Sequence, residues 1–195
     1  MRAIRWAFGL ILAAALLPAQ AETPRAAALV SGIERGGMLP AYHPKHVAGP
    51  DRDTDTCPVC KYGGRPAVQV WVNTDDPKNV AGIVAALEAA IVAHRDRDLK
   101  AFVTFFNHGG QSAEAFEQTL RQMAEKHGVK NVAITYLPRG PQDPAVRSHR
   151  INTDEAVRNT VFVYRDRRVS SRFVNLTADE RGLQQLRAAI RRVVQ

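Results

Sequence analysis

The sequence is poor in cysteine and in aromatic residues, and several common active-site motifs are missing. It has 195 residues with only two cysteines, and 7% of its residues are Phe, Trp or Tyr. It contains no G-x-S-x-G element, no phosphate-binding P-loop, no dinucleotide fingerprint and no H-E-x-x-H metal motif. After residue 17 no apolar run approaches the roughly 20 residues of a membrane-spanning helix. These absences exclude the corresponding hydrolase, nucleotide-binding and zincin classes, and they predict no membrane span in the mature chain.

The first 21 residues are typical of a secretory signal peptide. Arg2 and Arg5 precede an apolar run of about 12 residues, and the segment ends in Ala19-Gln20-Ala21. We therefore expect cleavage after Ala21 and a periplasmic or secreted protein. Two cysteines in an exported chain are expected to be oxidised to each other.

The chain is strongly basic, but its basic residues do not form a pattern typical of nucleic-acid binding. The formal net charge is +8, and it falls to +6 when the two arginines of the predicted signal peptide are removed. The arginines are spread along the chain and aromatic residues do not alternate with them. We interpret them as a basic solvated surface and expect no nucleic-acid partner.

Regular structure is predicted from residue 67 onwards. Residues 22–66, rich in proline and glycine, are interpreted as an N-terminal extension with little regular structure that packs against a domain at 67–195. Strands are predicted at 67–72, 99–106, 132–137, 160–164 and 169–174. Helices are predicted to begin after Asp76, after Ser112 and at a capping box formed by Thr177 and Glu180. Residues 138–159 are expected to be mostly irregular. The order is β-α-β-α-β, a variable segment, then β-β-α, which indicates an α/β fold with a mixed sheet flanked by helices.

This order resembles the thioredoxin-like fold superfamily over about residues 67–194. In thioredoxins a redox C-x-x-C lies between the second strand and the second helix, and a cis-proline precedes the fourth strand. The resemblance matches these places to residues 107–112 and 158–160, which contain neither cysteine nor proline. His108 remains at the first of them and could bind a ligand, although an exposed turn histidine is the simpler interpretation.

The strongest candidate for chemistry is Cys57-Pro58-Val59-Cys60, which lies ahead of the first predicted strand. Pro58 can open a single helical turn that Cys57 caps and Gly63 ends. Such a turn directs backbone N–H groups at the Cys57 sulfur and lowers the pKa of its thiol. We therefore predict thiol–disulfide chemistry with protein thiols or disulfides, or with a redox partner protein. Cys57 is expected to be the attacking thiol and Cys60 the resolving one.

Two other interpretations remain open. His43 and His46 precede the cysteines, and the resulting H-x2-H-x10-C-x2-C spacing supplies four ligands suited to zinc or copper. Alternatively, Cys57 and Cys60 form a static disulfide in a non-catalytic binding module. A ring this short constrains the unfolded chain only weakly, so a purely stabilising role is the less favoured explanation.

Overall fold

A computed structural model describes residues 29–195 of the chain. The predicted signal peptide lies outside these residues and stays a prediction. Among the helices that the structure describes, none has the length and apolar character needed to cross a membrane.

The described chain is built on one six-stranded mixed sheet. Its strands are β1 (Lys45–Ala48), β2 (Ala67–Val72), β3 (Lys100–Phe106), β4 (Ala133–Leu137), β5 (Asn159–Arg165) and β6 (Arg168–Val174). Their order across the sheet is β1-β4-β3-β2-β5-β6. β2, β3 and β4 are mutually parallel, whereas β1 and β5 run antiparallel to their neighbours and β6 forms a hairpin with β5. The five strands predicted from sequence are confirmed to within a residue or two at each end.

Five α-helices within residues 29–195 accompany the sheet. They are α1 (Pro58–Tyr62), α2 (Pro77–Ala93), α3 (Ala113–Lys126), α4 (Pro144–Ser148) and α5 (Glu180–Val194). The predicted start of α2 is confirmed, because Pro77 occupies its first turn and Asp76 Oδ1 accepts the backbone N–H of Lys78 at 2.6 Å. The Ser112 cap of α3 is confirmed as well, with Ser112 Oγ accepting the N–H of Ala115 at 3.2 Å.

Both faces of the sheet are covered, each by a different set of elements. All six residues of β2 are buried, as expected for a central strand that is sandwiched between two layers. One face packs against α2, α3 and α5. The other face packs against residues of the N-terminal extension, including α1, and against α4 and the residues that follow it.

The extension supplies part of this sheet and core. β1 pairs with the edge strand β4, with Lys45 opposite Tyr136. Leu39 and Val59 are fully buried in the second core, the one on this other face of the sheet, which also contains Trp71 and Phe102. The extension packs against the rest of the protein, and it contains a strand and a helix where the sequence indicated little regular structure.

Of two other expectations about local structure, one was incomplete and one was wrong. The variable segment contains α4, which Asp143 caps by accepting the N–H of Ala145 at 2.9 Å. The predicted capping box at the last helix does not form. Asp179 caps α5 by accepting the N–H of Gly182 at 2.7 Å, while Thr177 donates its hydroxyl to Asp179 instead. A carboxylate one residue before the helix is the better acceptor for its free N–H groups.

Candidate redox site

The cysteine pair lies on α1, and the predicted capping arrangement is confirmed. Cys57 is the N-cap residue with an extended backbone, and Pro58 occupies the first helical position. Cys57 Sγ accepts the backbone N–H of Cys60 at 3.1 Å. Gly63 ends the helix, where its N–H donates to the Val59 carbonyl at 3.3 Å. The sulfur of Cys57 therefore lies at the start of a helical turn, as the local sequence predicts.

Cys57 and Cys60 are joined in a disulfide, and their surroundings differ. Their Cα atoms are 5.3 Å apart. Cys57 is 4% exposed and belongs to the second core, whereas Cys60 is exposed on the outer side of the turn. An external thiol or disulfide can therefore reach Cys60, whereas Cys57 is inaccessible to it.

Apolar side chains hold α1 against the sheet. Val59 is fully buried, and the ring of Tyr62 lies 5.8 Å from that of Phe102 on β3. Desolvation in this position raises the pKa of the Tyr62 hydroxyl above its ordinary range. Because α1 is so short, this packing rather than helix propensity keeps its shape.

The positive charges near the cysteines are neutralised by acidic residues. Lys61 forms an ion pair with Asp51, and Arg65 forms one with Asp98. Free cations beside a thiol lower its pKa, and paired cations do so much less. The remaining stabilisation of a Cys57 thiolate comes from the Cys60 N–H.

His43 and His46 contact the segment that leads into α1, but they do not join the cysteines in a ligand set. The Nδ1 atom of His43 donates to the Asp55 carbonyl at 3.0 Å, and Nε2 of His46 donates to the Thr56 carbonyl at 2.8 Å. Within residues 29–195 no three His, Cys, Asp or Glu side chains are grouped so that they could hold a metal ion. The four residues of the metal hypothesis are thus not assembled in this conformation, where both sulfurs are also used by the disulfide.

His46 is the more buried of these two histidines. It is 2% exposed, and its Nδ1 atom has no hydrogen-bond partner among the described residues. Burial lowers the pKa of its imidazole, although the Thr56 carbonyl partly opposes this. His46 is therefore a buried ring whose neutral form is favoured, and its Nε2–H anchors the segment just ahead of Cys57.

The sheet order places the topological switch of the fold at the carboxyl end of β2. The chain proceeds from β2 through β3 to β4 on one side and then returns to β5 on the other. Ligand sites of open α/β sheets lie at such a point. The residues there are Asn73–Asp76, and the Asn73 and Thr74 N–H groups donate to the Arg158 carbonyl at 2.9 and 3.2 Å. This junction also contains no cysteine.

His108 lies at the junction between β3 and α3 and contacts Asn73 at the end of β2. Its Nε2 atom donates to the Asn73 carbonyl at 2.9 Å, so the ring braces the end of β2. From the sequence, Asp76 was expected to precede a helix, and no role was predicted for Asn73. The only local signal was a polar residue directly after an apolar strand.

Comparison with solved structures shows a thioredoxin-like fold. The chain is similar to a protein assigned as the thiol:disulfide interchange protein DsbE of Chlorobium tepidum, with 10% identity, a TM-score of 0.61 and coverage of 84% of this chain and 99% of that one. It is also similar to the thioredoxin domain of a thiol-disulfide oxidoreductase from Bacteroides vulgatus, with 8% identity, a TM-score of 0.58 and coverage of 81% and 99%. An uncharacterized conserved protein from Geobacillus kaustophilus has 11% identity, a TM-score of 0.62 and coverage of 85% of both chains. No family model and no curated protein sequence matches the chain.

Proposed function

We propose that this protein is an exported thiol–disulfide redox protein whose redox centre is the Cys57–Cys60 pair. The observation that carries the proposal is the asymmetry of the disulfide, with one cysteine buried as a helix cap and the other exposed. Its fold is similar to those of a thiol:disulfide interchange protein and a thiol-disulfide oxidoreductase. The proposed partners are protein thiols and disulfides.

The exposure of the two cysteines supports roles in the opposite order to the sequence-based expectation, with Cys60 as the attacking thiol and Cys57 as the resolving one. A thiolate of the partner attacks Sγ of Cys60, and the Cys57–Cys60 bond breaks with its electron pair going to Cys57. A second partner thiol, as its thiolate, then attacks the partner sulfur of the mixed disulfide and releases Cys60, which takes up a proton. The Cys57 thiolate takes up the second proton released by the partner thiols, so the partner leaves oxidised to a disulfide and the protein leaves as a dithiol. In the reverse direction Cys60 attacks and Cys57 resolves.

The leaving thiolate of Cys57 has one donor already in place. The Cys60 N–H points at Sγ of Cys57 at 3.1 Å and can stabilise the negative charge that develops there. Because Lys61 and Arg65 are paired with acidic residues, we expect only moderate activation of this thiol.

Export is supported by the predicted signal peptide and by the disulfide itself. Disulfides persist in oxidising compartments such as the bacterial periplasm and the extracellular space. Fractionation of cells that express the full chain, with N-terminal sequencing of the product, tests export separately from redox activity.

Single-cysteine variants test the redox proposal and the assigned roles together. Cys57→Ser leaves the exposed Cys60, which should react rapidly with glutathione disulfide and accumulate as a mixed disulfide detectable by mass spectrometry. Cys60→Ser leaves the buried Cys57, which should react more slowly by about tenfold or more. The oxidised wild-type protein should be reduced by a dithiol peptide and reoxidised without loss of protein.

Three outcomes would contradict parts of this proposal. Equal reactivity of the two variants would reject the role of Cys60 as the entry sulfur. A disulfide that resists reduced glutathione while the protein stays folded would favour the non-catalytic binding module. Stoichiometric zinc or copper uptake by the reduced protein, lost on changing His43 and His46 to Ala, would favour the metal hypothesis.

A further inference from the structure

A groove begins one residue after the exposed Cys60. Its lining includes residues of α1, of the segment that follows α1 and of three other parts of the chain: Asp51, Lys61, Tyr62, Arg65, Ile91 and Lys100. Its volume is about 270 Å³, slightly below the range of about 300–1,000 Å³ for pockets that enclose a whole ligand. The groove therefore suits a side chain of a partner segment better than a complete cofactor.

The accessible charge in this groove is positive. The side chains of Lys61, Arg65 and Lys100 are 50%, 47% and 34% exposed. The carboxylate of Asp51, which pairs with Lys61, is only 9% exposed. A molecule that enters the groove therefore meets the ammonium group of this ion pair before its carboxylate.

The carboxylate of Asp98 is shared between the two other cations. Its two oxygens pair with Arg65 and Lys100, so the three cations and two carboxylates of the groove retain one positive charge. Arg65 also donates through Nη1 to the Lys61 carbonyl at 3.1 Å, and its Nη2 group forms no hydrogen bond within residues 29–195. Donors are therefore left for an anionic group, and a guanidinium suits a carboxylate in particular.

The other acidic residues just ahead of α1 lie outside this lining. Neither Asp53 nor Asp55 lines the groove, and Asp53 pairs with Arg52 and Arg121 instead. The one carboxylate in the lining itself is that of Asp51. A second anionic group is therefore attracted by the groove, and a cationic group is repelled.

We propose that this groove selects the substrate of the redox pair by binding a carboxylate side chain next to the cysteine of an acidic partner protein. This inference rests on the redox function proposed for Cys57 and Cys60. A glutamate or aspartate beside the partner cysteine accepts hydrogen bonds from Arg65 and Lys100 while the partner sulfur reacts with Cys60. Acidic partner segments are thus preferred and basic ones are disfavoured.

Three peptide disulfides of different charge test this preference on the mature Cys57→Ser chain, in which Cys60 is the single thiol. Each is the dimer of a short peptide whose central cysteine lies between glutamates, glutamines or lysines. The Cys60 thiolate attacks one sulfur and releases the other peptide as its thiolate, and mass spectrometry follows the mixed disulfide. Rates with 2-mercaptoethanol, a small uncharged thiol, correct for the intrinsic reactivity of each peptide. The acidic peptide should react about fivefold or more faster than the neutral one, and the lysine peptide more slowly than both.

Removing the two cations that share Asp98 shows where the preference arises. Arg65→Gln/Lys100→Gln in the same Cys57→Ser chain should lower the acidic-to-neutral rate ratio by about threefold or more. Lys126→Gln/Arg181→Gln removes the same charge from exposed positions outside the groove and should leave the ratio nearly unchanged. Alkylation by uncharged iodoacetamide reports the reactivity of the Cys60 thiol itself, so a change in thiol pKa is distinguished from a change in peptide binding.

Salt supplies a test that needs no substitution in the groove. The preference of the Cys57→Ser chain for the acidic peptide should largely disappear as the ionic strength is raised to about 1 M, where the screening length is about 3 Å. A preference that persists at high salt would mean that the charges of the groove do not cause it.

The outcomes distinguish this inference from the redox function. Equal corrected rates for the three peptides would overturn the role of the groove while leaving the redox chemistry of Cys60 intact. An acidic preference that both double variants lower alike would overturn it too, because the net charge of the protein would then be the cause. A Cys60 thiol that reacts with none of the peptides and not with glutathione disulfide would reject the redox function and this inference with it.

Discussion

His149 shows how a single buried residue can make stability depend on pH. It is fully buried, its Nδ1 donates to the Ala145 carbonyl at 2.9 Å, and its ring lies 4.8 Å from that of Trp71 and 5.0 Å from that of Tyr42. Burial lowers the pKa of its imidazole from 6.5 to about 4, because the apolar surroundings disfavour the charged ring; the Ala145 carbonyl opposes this only in part.

We predict that the free energy of unfolding falls as the pH is lowered from about 6.5 to 4. In this window the unfolded chain binds a proton at His149 and the folded chain does not, so acid favours the unfolded state. At pH 4 the free energy of unfolding should be about 3 kcal/mol lower because of His149 alone. Urea unfolding at a series of pH values measures it.

The comparison with two variants isolates this contribution. His149→Phe keeps a ring of similar shape and removes the titration, so its stability should change less between pH 6.5 and 4. His127→Gln alters an exposed histidine and should retain the wild-type slope. Parallel curves for the wild type and His149→Phe would mean that burial of this ring does not govern the acid response.

Between elements, the carboxylate of Glu88 ties α2 to the start of β4. Its Oε1 accepts the backbone N–H groups of Lys130, Asn131 and Val132 at 2.8–2.9 Å, and its Oε2 accepts the Asn131 side-chain amide at 2.8 Å. Partial burial alone would raise the pKa of Glu88, but these hydrogen bonds outweigh it and the pKa is lowered. Nothing in the sequence around Glu88 indicates this role, because the four donors come from a loop 42–44 residues further along the chain.

We predict that Glu88→Gln destabilises the protein by about 1–3 kcal/mol at pH 7. The amide loses the charge and presents one NH₂ group to a loop that offers only donors. The difference should shrink as the pH falls through the lowered pKa of Glu88, since its stabilisation is present above the ordinary pKa and is lost with protonation. Thermal unfolding of both proteins at neutral and acidic pH measures this. Glu125→Gln, on the exposed face of α3, is the matched control, and an equal loss there would refute the role of Glu88.

Elements whose signals are local could be predicted from sequence, and those that depend on distant partners could not. The caps of α2 and α3 and the turn of α1 follow from neighbouring residues such as Asp76, Ser112 and Pro58. The four-residue strand β1 exists because it pairs with β4, almost ninety residues away. Nothing in the Lys45–Ala48 sequence itself indicates that pairing.

The same distinction applies to the candidate site. Cys57 as a helix cap is a local property, and it is confirmed. Which cysteine is exposed depends on how α1 packs against the sheet, which the sequence pattern does not contain. The role of Asn73 likewise depends on the strand order, because only the sheet topology brings Arg158 and His108 to the end of β2.

At the scale of the whole molecule, the extension covers much of one sheet face, beside α4 and the residues that follow it. Its buried apolar and aromatic residues in the second core are Ile33, Leu39, Tyr42, Val59 and Tyr62. The ring of Tyr42 lies 5.2 Å from Trp71 of β2. Each such side chain contributes about 1.5–3 kcal/mol on burial, and together they rival the 5–15 kcal/mol by which a typical domain is stable.

We therefore predict that a chain beginning at Ala67 does not fold cooperatively. Without the extension, Trp71 and Phe102 face solvent, and a chain of 67–195 should bind a hydrophobic dye and lack a sharp thermal transition. A chain beginning at Leu29 is the control and should unfold cooperatively. Similar transitions for the two chains would show that 67–195 is an independent domain.

Reduction of the disulfide should leave the molecule folded, which is a condition for any redox cycle. The ring that it closes spans a sequence separation of only three. Chain entropy then gives a stabilisation of about 2 kcal/mol, less than that of a longer loop and well below typical total stability. Urea unfolding of the oxidised and reduced proteins should give midpoints that differ modestly and equal slopes with denaturant. The double variant Cys57→Ser/Cys60→Ser should behave as the reduced protein does. If reduction abolishes the cooperative transition, the disulfide is required for the fold. Repeated oxidation and reduction at Cys57 and Cys60 then cannot be the function of the protein.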